Sequence, residues 1–361
     1  MSTLEARRLV RRVIELAARR VLAAVDPPSL ATADEPGVAG DPQNGWSFER
    51  DLGPAELAVE GHRVSSILYE RLTEEKIADV ERRILETPEL GHYLAGQPSL
   101  ATRRYLSLSC GIWLAVPGLL DGTGLVSAQP PDDVHAMARG PLSAGGGLYE
   151  ADMITSALES CGVELADVRD GLDFGCSSGR VVRVLAAAFP ETRWRGCDPN
   201  ARAIEWASDA LPAIDLFLSD DEPPLSLPDA SLDLVYAISI WSHFEPQLGL
   251  RWFEEMHRLI RPGGHLLCTT HGLASVDHYA RHRLRAAGQS REIAKALYER
   301  GSWYAPEFGE AGDWGVVNPG WGTAFLSPEW ILANLLPAWH VLEFAPGRNQ
   351  ENQDVYVLRR V

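Results

Sequence analysis

The stretch GLDFGCSSGRVVRVLA, residues 171–186, sets an aspartate and two glycines between an apolar run and a segment with helical spacing. Without a Cβ, Gly175 and Gly179 let the backbone turn tightly and approach a ligand closely. A loop of this kind between strand and helix is the context of a nucleotide site. Asp198 ends the next apolar run, 25 residues after Asp173, where a carboxylate can accept hydrogen bonds from both ribose hydroxyls. The dinucleotide pattern GxGxxG fails here, because Ser177 and Arg180 occupy its second and third glycine positions. The pattern acidic-x-G-x-G-x-G fits better, through Asp173, Gly175 and Gly179, with Ser177 in the middle place. Asp173 would repel a pyrophosphate and suits a ligand with a cationic amino-acid end. The Cβ of Ser177 predicts a negative φ at that position.

A second set of residues suits proton transfer. His243 in SIWSHF follows a β-branched run, and His271 in TTHG follows another. Imidazole is a base near neutral pH, so either can take a proton from a hydroxyl, or simply bond locally in its loop. His278 and His282 stand four apart, which is metal-ligand spacing on a helix, with Asp277 and His271 nearby. No third ligand is evident, and no metal is predicted. Between residues 273 and 326, Trp303, Tyr304, Phe308, Trp314, Trp321 and Phe325 are concentrated. Together with Trp241, the tryptophans and Tyr304 can stack on a sugar or flat ring, or pack the segment onto its own domain. Long connections of this kind often act as binding caps.

The elements that position these residues alternate. Strands are predicted near 170–174, at RWRGCDP, AIDLFLS, SLDLVYAIS and HLLCTT, with helices at 179–189, ARAIEWASDAL and LGLRWFEEMHRLI between them. The last of these helices is stopped by Arg261-Pro262-Gly263-Gly264. SPEWILANLL has a serine cap and proline at the first helical position. WHVLEFAP and DVYVLRR then close the chain with no helix between them, so they read as a hairpin that brings an antiparallel strand into an otherwise parallel sheet. LYEADMITSALESCG reads as a helix ending at Gly162, and residues 54 to about 116 read as helical. DPPSLATADEPGVAGDPQNG and PPDDVHAMARGPLSAGGG are breaks.

The 361 residues carry a net charge of −17, which argues against a nucleic-acid backbone as partner. No apolar run is long enough for a membrane span, and a cytoplasmic protein is expected. The five cysteines form no CxxC pair and read as small buried thiols. The amphipathic start, STLEARRLVRRVIELAARRVLAAV, lacks a secretory layout and reads as a packing or dimer helix, so a homodimer is one expectation.

The ordered motifs LDFGCSSGR, GCDPNARAIEWA, LPDASLDLVYAISIWSHF, IRPGG and LLCTTHG resemble those of class I S-adenosylmethionine-dependent methyltransferases over roughly residues 145–361. The resemblance implies an α/β fold. Its seven-stranded Rossmann-like methyltransferase sheet would be mostly parallel, with an antiparallel last strand and a helical N-terminal region. Residues 1–145 would form a lid or dimerisation region, 146–361 the cofactor domain, and 273–326 an aromatic cap. S-adenosyl-L-methionine would be the cofactor. Gly175, Ser177 and Gly179 would line its methionine and ribose, Asp173 would approach its ammonium and Asp198 its ribose hydroxyls. Asp221, or equally Asp220, would meet the adenine amine, and Ser239 would supply backbone contacts. Tyr149 matches a lid helix, and His243 would face the acceptor. The expected reaction is methyl transfer to a small molecule, foremost a hydroxyl of a sugar or secondary metabolite, with His243, or else His271, as base. C- or N-methylation, a silent cofactor-binding scaffold and, more distantly, a dehydrogenase are the alternatives.

Overall fold

In the computed structural model, residues 61–96, 98–114, 118, 120–135, 143–282, 287–308, 312–313 and 315–361 are described. The amphipathic start of the chain and Trp314 lie outside them. The described chain divides into two compact units. One holds the described residues up to Asp220 with Leu232–Tyr236, and the other holds Asp221–Ser231 with Ala237–Val361.

The first unit begins with helices α1 (Arg63–Tyr69), α2 (Glu74–Glu86), α3 (Pro88–Ala95), α4 (Leu100–Trp113) and α5 (Ser143–Ser160). A side chain distant in sequence caps α1: Asp152 Oδ1, on α5, accepts from Val64 N at 2.6 Å and Ser65 N at 3.2 Å. Next come β1 (Asp170–Phe174), α6 (Val182–Ala188), β2 (Arg193–Asp198), α7 (Ala201–Ala210), β3 (Asp215–Leu218) and β4 (Leu232–Ala237). Every residue of β1 is buried, as a central parallel strand covered on both faces requires. Its parallel register sets Asp173 beside Gly196 of β2 and Tyr236 of β4. Asn200 starts α7 by accepting from Ala203 N at 3.0 Å.

The second unit contains α8 (Pro246–Leu259), β5 (Ile260–Thr270), α9 (Leu273–Arg281), α10 (Ala287–Arg300), β6 (Ser302–Ala305), β7 (Thr323–Leu326), α11 (Pro328–Leu335), β8 (Trp339–Asn349) and β9 (Gln353–Arg360). Helix α8 ends at Leu259, and the IRPGG stretch forms the first part of β5, whose pairing with β9 starts at His265. Strands β8 and β9 form the expected hairpin, and its turn is made by Gln350 and Glu351 at φ 58° and 53°. The expected cap has a core of its own: Leu273, Val276, Tyr279, Ile293, Leu297, Trp303 and Phe325 pack together where α9 and α10 meet the β6–β7 ribbon.

The sheet has seven strands in the order β3-β2-β1-β4-β5-β9-β8, mostly parallel, with the last strand of the chain, β9, antiparallel. This is the predicted sheet. The hairpin explains the reversal, because a short connection can join only antiparallel neighbours.

Candidate active site

The glycine loop forms between β1 and α6. Gly175 N and Cys176 N both donate to Cys197 O, at 2.9 and 3.0 Å, which draws the loop onto the end of β2. Gly175 and Gly179 have φ 84° and 76°, and a Cβ at Gly179 would stand 2.5 Å from Leu211 Cδ1. Ser177 corrects the expectation of negative φ: it lies at φ 49°, in the left-handed region. That conformation costs a non-glycine residue roughly 1–2 kcal/mol and must be held by its surroundings. Three contacts hold it. Ser177 N donates to Asp198 Oδ2 at 2.8 Å, and its Oγ lies 2.8 Å from His135 Nδ1 and 3.2 Å from His135 O.

Three buried carboxyls gather here. Asp198 accepts from Ser177 on one oxygen and from Asn200 N, at 2.9 Å, on the other. Asp173 is pushed up to about 7 by burial. The Tyr236 hydroxyl and Arg180 oppose that shift, and Glu150 and Asp198 add to it. Glu150, on α5, pairs with Arg180 at 2.6 Å, and burial raises its pKa despite that partner. Burial likewise raises the Cys176 and Cys197 thiols well above their ordinary value, so they serve as packing.

In the second unit the histidine loops follow β4 and β5. His243 Nδ1 lies 2.7 Å from Gly322 O. A carbonyl only accepts, so Nδ1 carries the proton and Nε2 keeps its lone pair. Burial lowers the pKa of His243, while the Gly322 carbonyl, Asp313 and Glu307 pull the other way. The ring stacks on Trp321 at 4.7 Å, and the Trp321 indole nitrogen donates to Asp313 Oδ2 at 3.0 Å. The segment entering β7 is stitched to both loops, since Gly322 N donates to His243 O, Ala324 N to Ser242 O and Leu326 N to His271 O, each at 2.8 Å.

His271 is buried and belongs to a polar network centred on Gln353. The Gln353 amide nitrogen reaches Ser239 Oγ at 2.8 Å and His271 Nε2 at 3.3 Å, and its oxygen accepts from Thr269 Oγ1 at 2.8 Å. Thr269 Oγ1 in turn accepts from Ser239 N at 2.7 Å, and the Tyr279 hydroxyl lies 3.1 Å from His271 Nε2.

Residues 172–264 match the family model described as a methyltransferase domain. The chain is also 31% identical over 103 residues to the malonyl-(acyl-carrier protein) O-methyltransferase of Hahella chejuensis (strain KCTC 2396), a match covering 28% of this chain and 36% of that relative's length. Residues 172–264 are those of a methyltransferase domain. Among solved structures, an S-adenosylmethionine-dependent methyltransferase of Mesorhizobium loti is 18% identical, covering 56% of this chain and 96% of its own, with a TM-score of 0.39. A protein of Pyrococcus horikoshii OT3 is also 18% identical, over 59% and 92%, with the same TM-score of 0.39.

The surroundings of the glycine loop suit a cationic ligand by their own chemistry. Glu150, Asp173 and Asp198 are buried together, and the guanidinium acting on Glu150 and Asp173 is that of Arg180. A cation nearby favours ionised Asp173, whereas an added anion would raise its pKa further. The other predicted residues divide. Ser239 has φ 63° and spends its N–H on Thr269, so its hydroxyl is drawn into the Gln353 network. Asp221 is half-buried and its carbonyl accepts from Asn318 Nδ2, while Asp220 is exposed. Trp241 is fully buried, stacked on Phe253 at 4.4 Å, with its indole nitrogen bonded to Gly249 O, which leaves it no face for an acceptor. Trp303 is buried and donates to Glu292. Tyr304 is partly exposed, with its hydroxyl donated to Pro319 O at 3.0 Å. Tyr149 is buried on α5. His278 is buried, His282 is exposed, and among the described residues no cluster of three or more ligands could hold a metal. Sequence reasoning missed Glu150, Arg180, His135 and Gln353. Arg180 adjoins Gly179, and Glu150 interrupts an apolar helix face, which are usable signals; Gln353 gives none.

Proposed function

We propose that the chain transfers a methyl group from S-adenosylmethionine to a small-molecule acceptor, most readily a hydroxyl of a sugar or secondary metabolite, with His243 as general base. The observation that carries this reading is the fixed tautomer of His243: Nδ1–H is committed to Gly322 O, and burial favours the neutral ring. Ligands of parallel sheets bind beyond the carboxyl ends of the strands; Asp198 is the last residue of β2, and Gly175, His243 and His271 follow the ends of β1, β4 and β5.

The cofactor supplies an electrophilic methyl group on a sulfonium. In this reading Asp173 accepts from its ammonium, Asp198 from its ribose hydroxyls, and Gly175, Ser177 and Gly179 lie along it. Asp221 or Asp220 receives the adenine amine, and Ser239 supplies backbone contacts. His243 removes the acceptor proton and holds it at Nε2. The resulting imidazolium keeps its Nδ1–H bond to Gly322 and gains the attraction of Asp313 and Glu307. Trp321 fixes the ring plane by stacking, and Trp321 and Tyr304 offer the aromatic surface for the acceptor. His271 acts as a second polar contact through the Gln353 network rather than as the first base, because its Nε2 already meets Tyr279 and Gln353.

N-methylation is the second reading. The charges acting on His243, Asp313 and Glu307, are both carboxylates, which would also attract an amine-bearing acceptor. The test is turnover of a panel of hydroxyl- and amine-bearing acceptors with methyl-labelled cofactor. Transfer to a hydroxyl that is lost in His243→Ala with cofactor affinity unchanged supports the reading. Transfer that survives this substitution overturns the base assignment, and labelled amine products shift the acceptor class.

A further inference from the structure

The segment from Thr123 to His135 has no helix or strand, yet side chains from the turn after α1, the glycine loop, α6 and α7 pin it along its length. Arg71 Nη1 donates to Thr123 O at 3.0 Å and to Ala187 O, at the end of α6, at 2.6 Å. Arg183 is buried in α6. Its Nη1 donates to Ala128 O at 2.6 Å, while its Nε and Nη2 donate to Gly179 O and Ser178 O, both at 3.2 Å. One guanidinium therefore grips the segment and the glycine loop together. Arg202, on α7, pairs with Asp133 at 2.5 Å. The segment ends with His135 on Ser177.

We propose that His135 is a positioning residue of the cofactor cradle, acting through Ser177 on Asp198. The proposal rests on the reading of Asp198 as the ribose carboxylate. Ser177 occupies a place where glycine would take positive φ without strain, so its side chain must return something for the conformation it holds. Its hydroxyl has a single hydrogen. When that hydrogen goes to His135 O, the His135 Nδ1–H donates to Oγ, and both contacts fix the side chain at once. With the side chain fixed and φ at 49°, the Ser177 N–H points at Asp198 Oδ2, 2.8 Å away. Asn200 N holds the other oxygen, so the carboxylate is locked with its remaining lone pairs in a set direction. Releasing His135 frees Ser177 to leave the left-handed conformation, and the lock on Asp198 loosens.

The test is calorimetric titration of the full chain with S-adenosylhomocysteine, for the unaltered protein and for His135→Ala, Ser177→Ala, the double variant and His135→Asn. Each single alanine variant is expected to weaken binding roughly fivefold, the size of one hydrogen bond. The double variant is expected to be no weaker than Ser177→Ala, because that substitution already removes the contact that His135→Ala removes. His135→Asn, whose amide nitrogen falls near the place of Nδ1, recovers most of the affinity. A merely structural role would lower the melting temperature and leave the affinity of the folded chain unchanged. Ser177→Ala, which removes one oxygen, carries the test if His135→Ala proves unstable. Unchanged affinity in the single variants, or additive losses in the double, overturns the proposal. No binding by the unaltered chain overturns the cofactor reading and the proposal with it.

Discussion

The carboxylate-bearing region around the glycine loop and the histidine-bearing region around His243 are built in opposite ways. In the first, Asp173, Ser177, Asp198 and Asn200 come from one β-loop-α-β stretch, and backbone N–H groups orient Asp198. In the second, groups from distant parts of the chain orient one another: His243 with the Gly322 backbone carbonyl, Thr269 with Gln353, and Gln353 with Ser239. On the proposed reading, a ligand shared by many methyltransferases would be met by short-range backbone geometry, and an acceptor particular to one enzyme by contacts that can change without disturbing the loop. The two regions should therefore fail separately.

The largest expected effect breaks one side alone. His243→Ala should lower turnover by about 10²–10⁴-fold, the usual worth of a general base, with S-adenosylhomocysteine affinity unaltered by calorimetry. Equal losses in both would show that the regions are not independent. Asp198→Ala should weaken S-adenosylhomocysteine roughly 10- to 100-fold through loss of charge-assisted hydrogen bonds, while the pH dependence of any residual turnover stays as in the unaltered protein.

A third experiment uses one buried carboxyl from each region. Asp173 and Asp354 are both pushed up to about 7, chiefly by burial. A raised folded-state pKa means that the folded chain binds more protons than the unfolded one between the ordinary value, 3.8, and about 7. Their stabilising contribution is thus complete below 3.8 and lost as pH rises through about 7. His243 runs the other way: its lowered pKa gives stability that is present above its ordinary 6.5 and lost as pH falls through the folded value. Binding of the cationic cofactor should release a proton from Asp173 near neutral pH, read as a dependence of binding enthalpy on buffer ionisation. Asp173→Asn should abolish that release and Asp354→Asn should leave it intact. The smallest effect belongs to Trp321→Phe. It keeps a ring against His243 but loses the bond to Asp313, so urea unfolding should show a loss of about 0.5–1.5 kcal/mol.

The strands and helices of the sheet were legible because burial on both faces writes apolar runs into β1 and β4, and because Ser327 and Pro328 mark the start of α11. The antiparallel reversal was legible from the short link between β8 and β9. Tryptophans were the hardest to place. Trp241, Trp303 and Trp321 are alike in sequence, yet one is a core side chain, one braces Glu292 and one stacks on the candidate base. Which of these a tryptophan becomes depends on neighbours far away in the chain. Ser177 misled for a different reason: steric preference favours negative φ, but hydrogen bonds to Asp198 and from His135 outweighed it.

The sequence by itself determined the glycine loop, the two aspartates that flank it, the alternation of strand and helix and the histidines that follow strand ends. Each of these is specified within a turn or a strand, over the span in which backbone sterics and periodicity act. Only the tertiary structure decided the tautomer of His243, the hub at Gln353 and the place of His135. Their partners lie 79, 84 and 42 positions away, and sheet register and chain packing choose which polar groups meet at such separations.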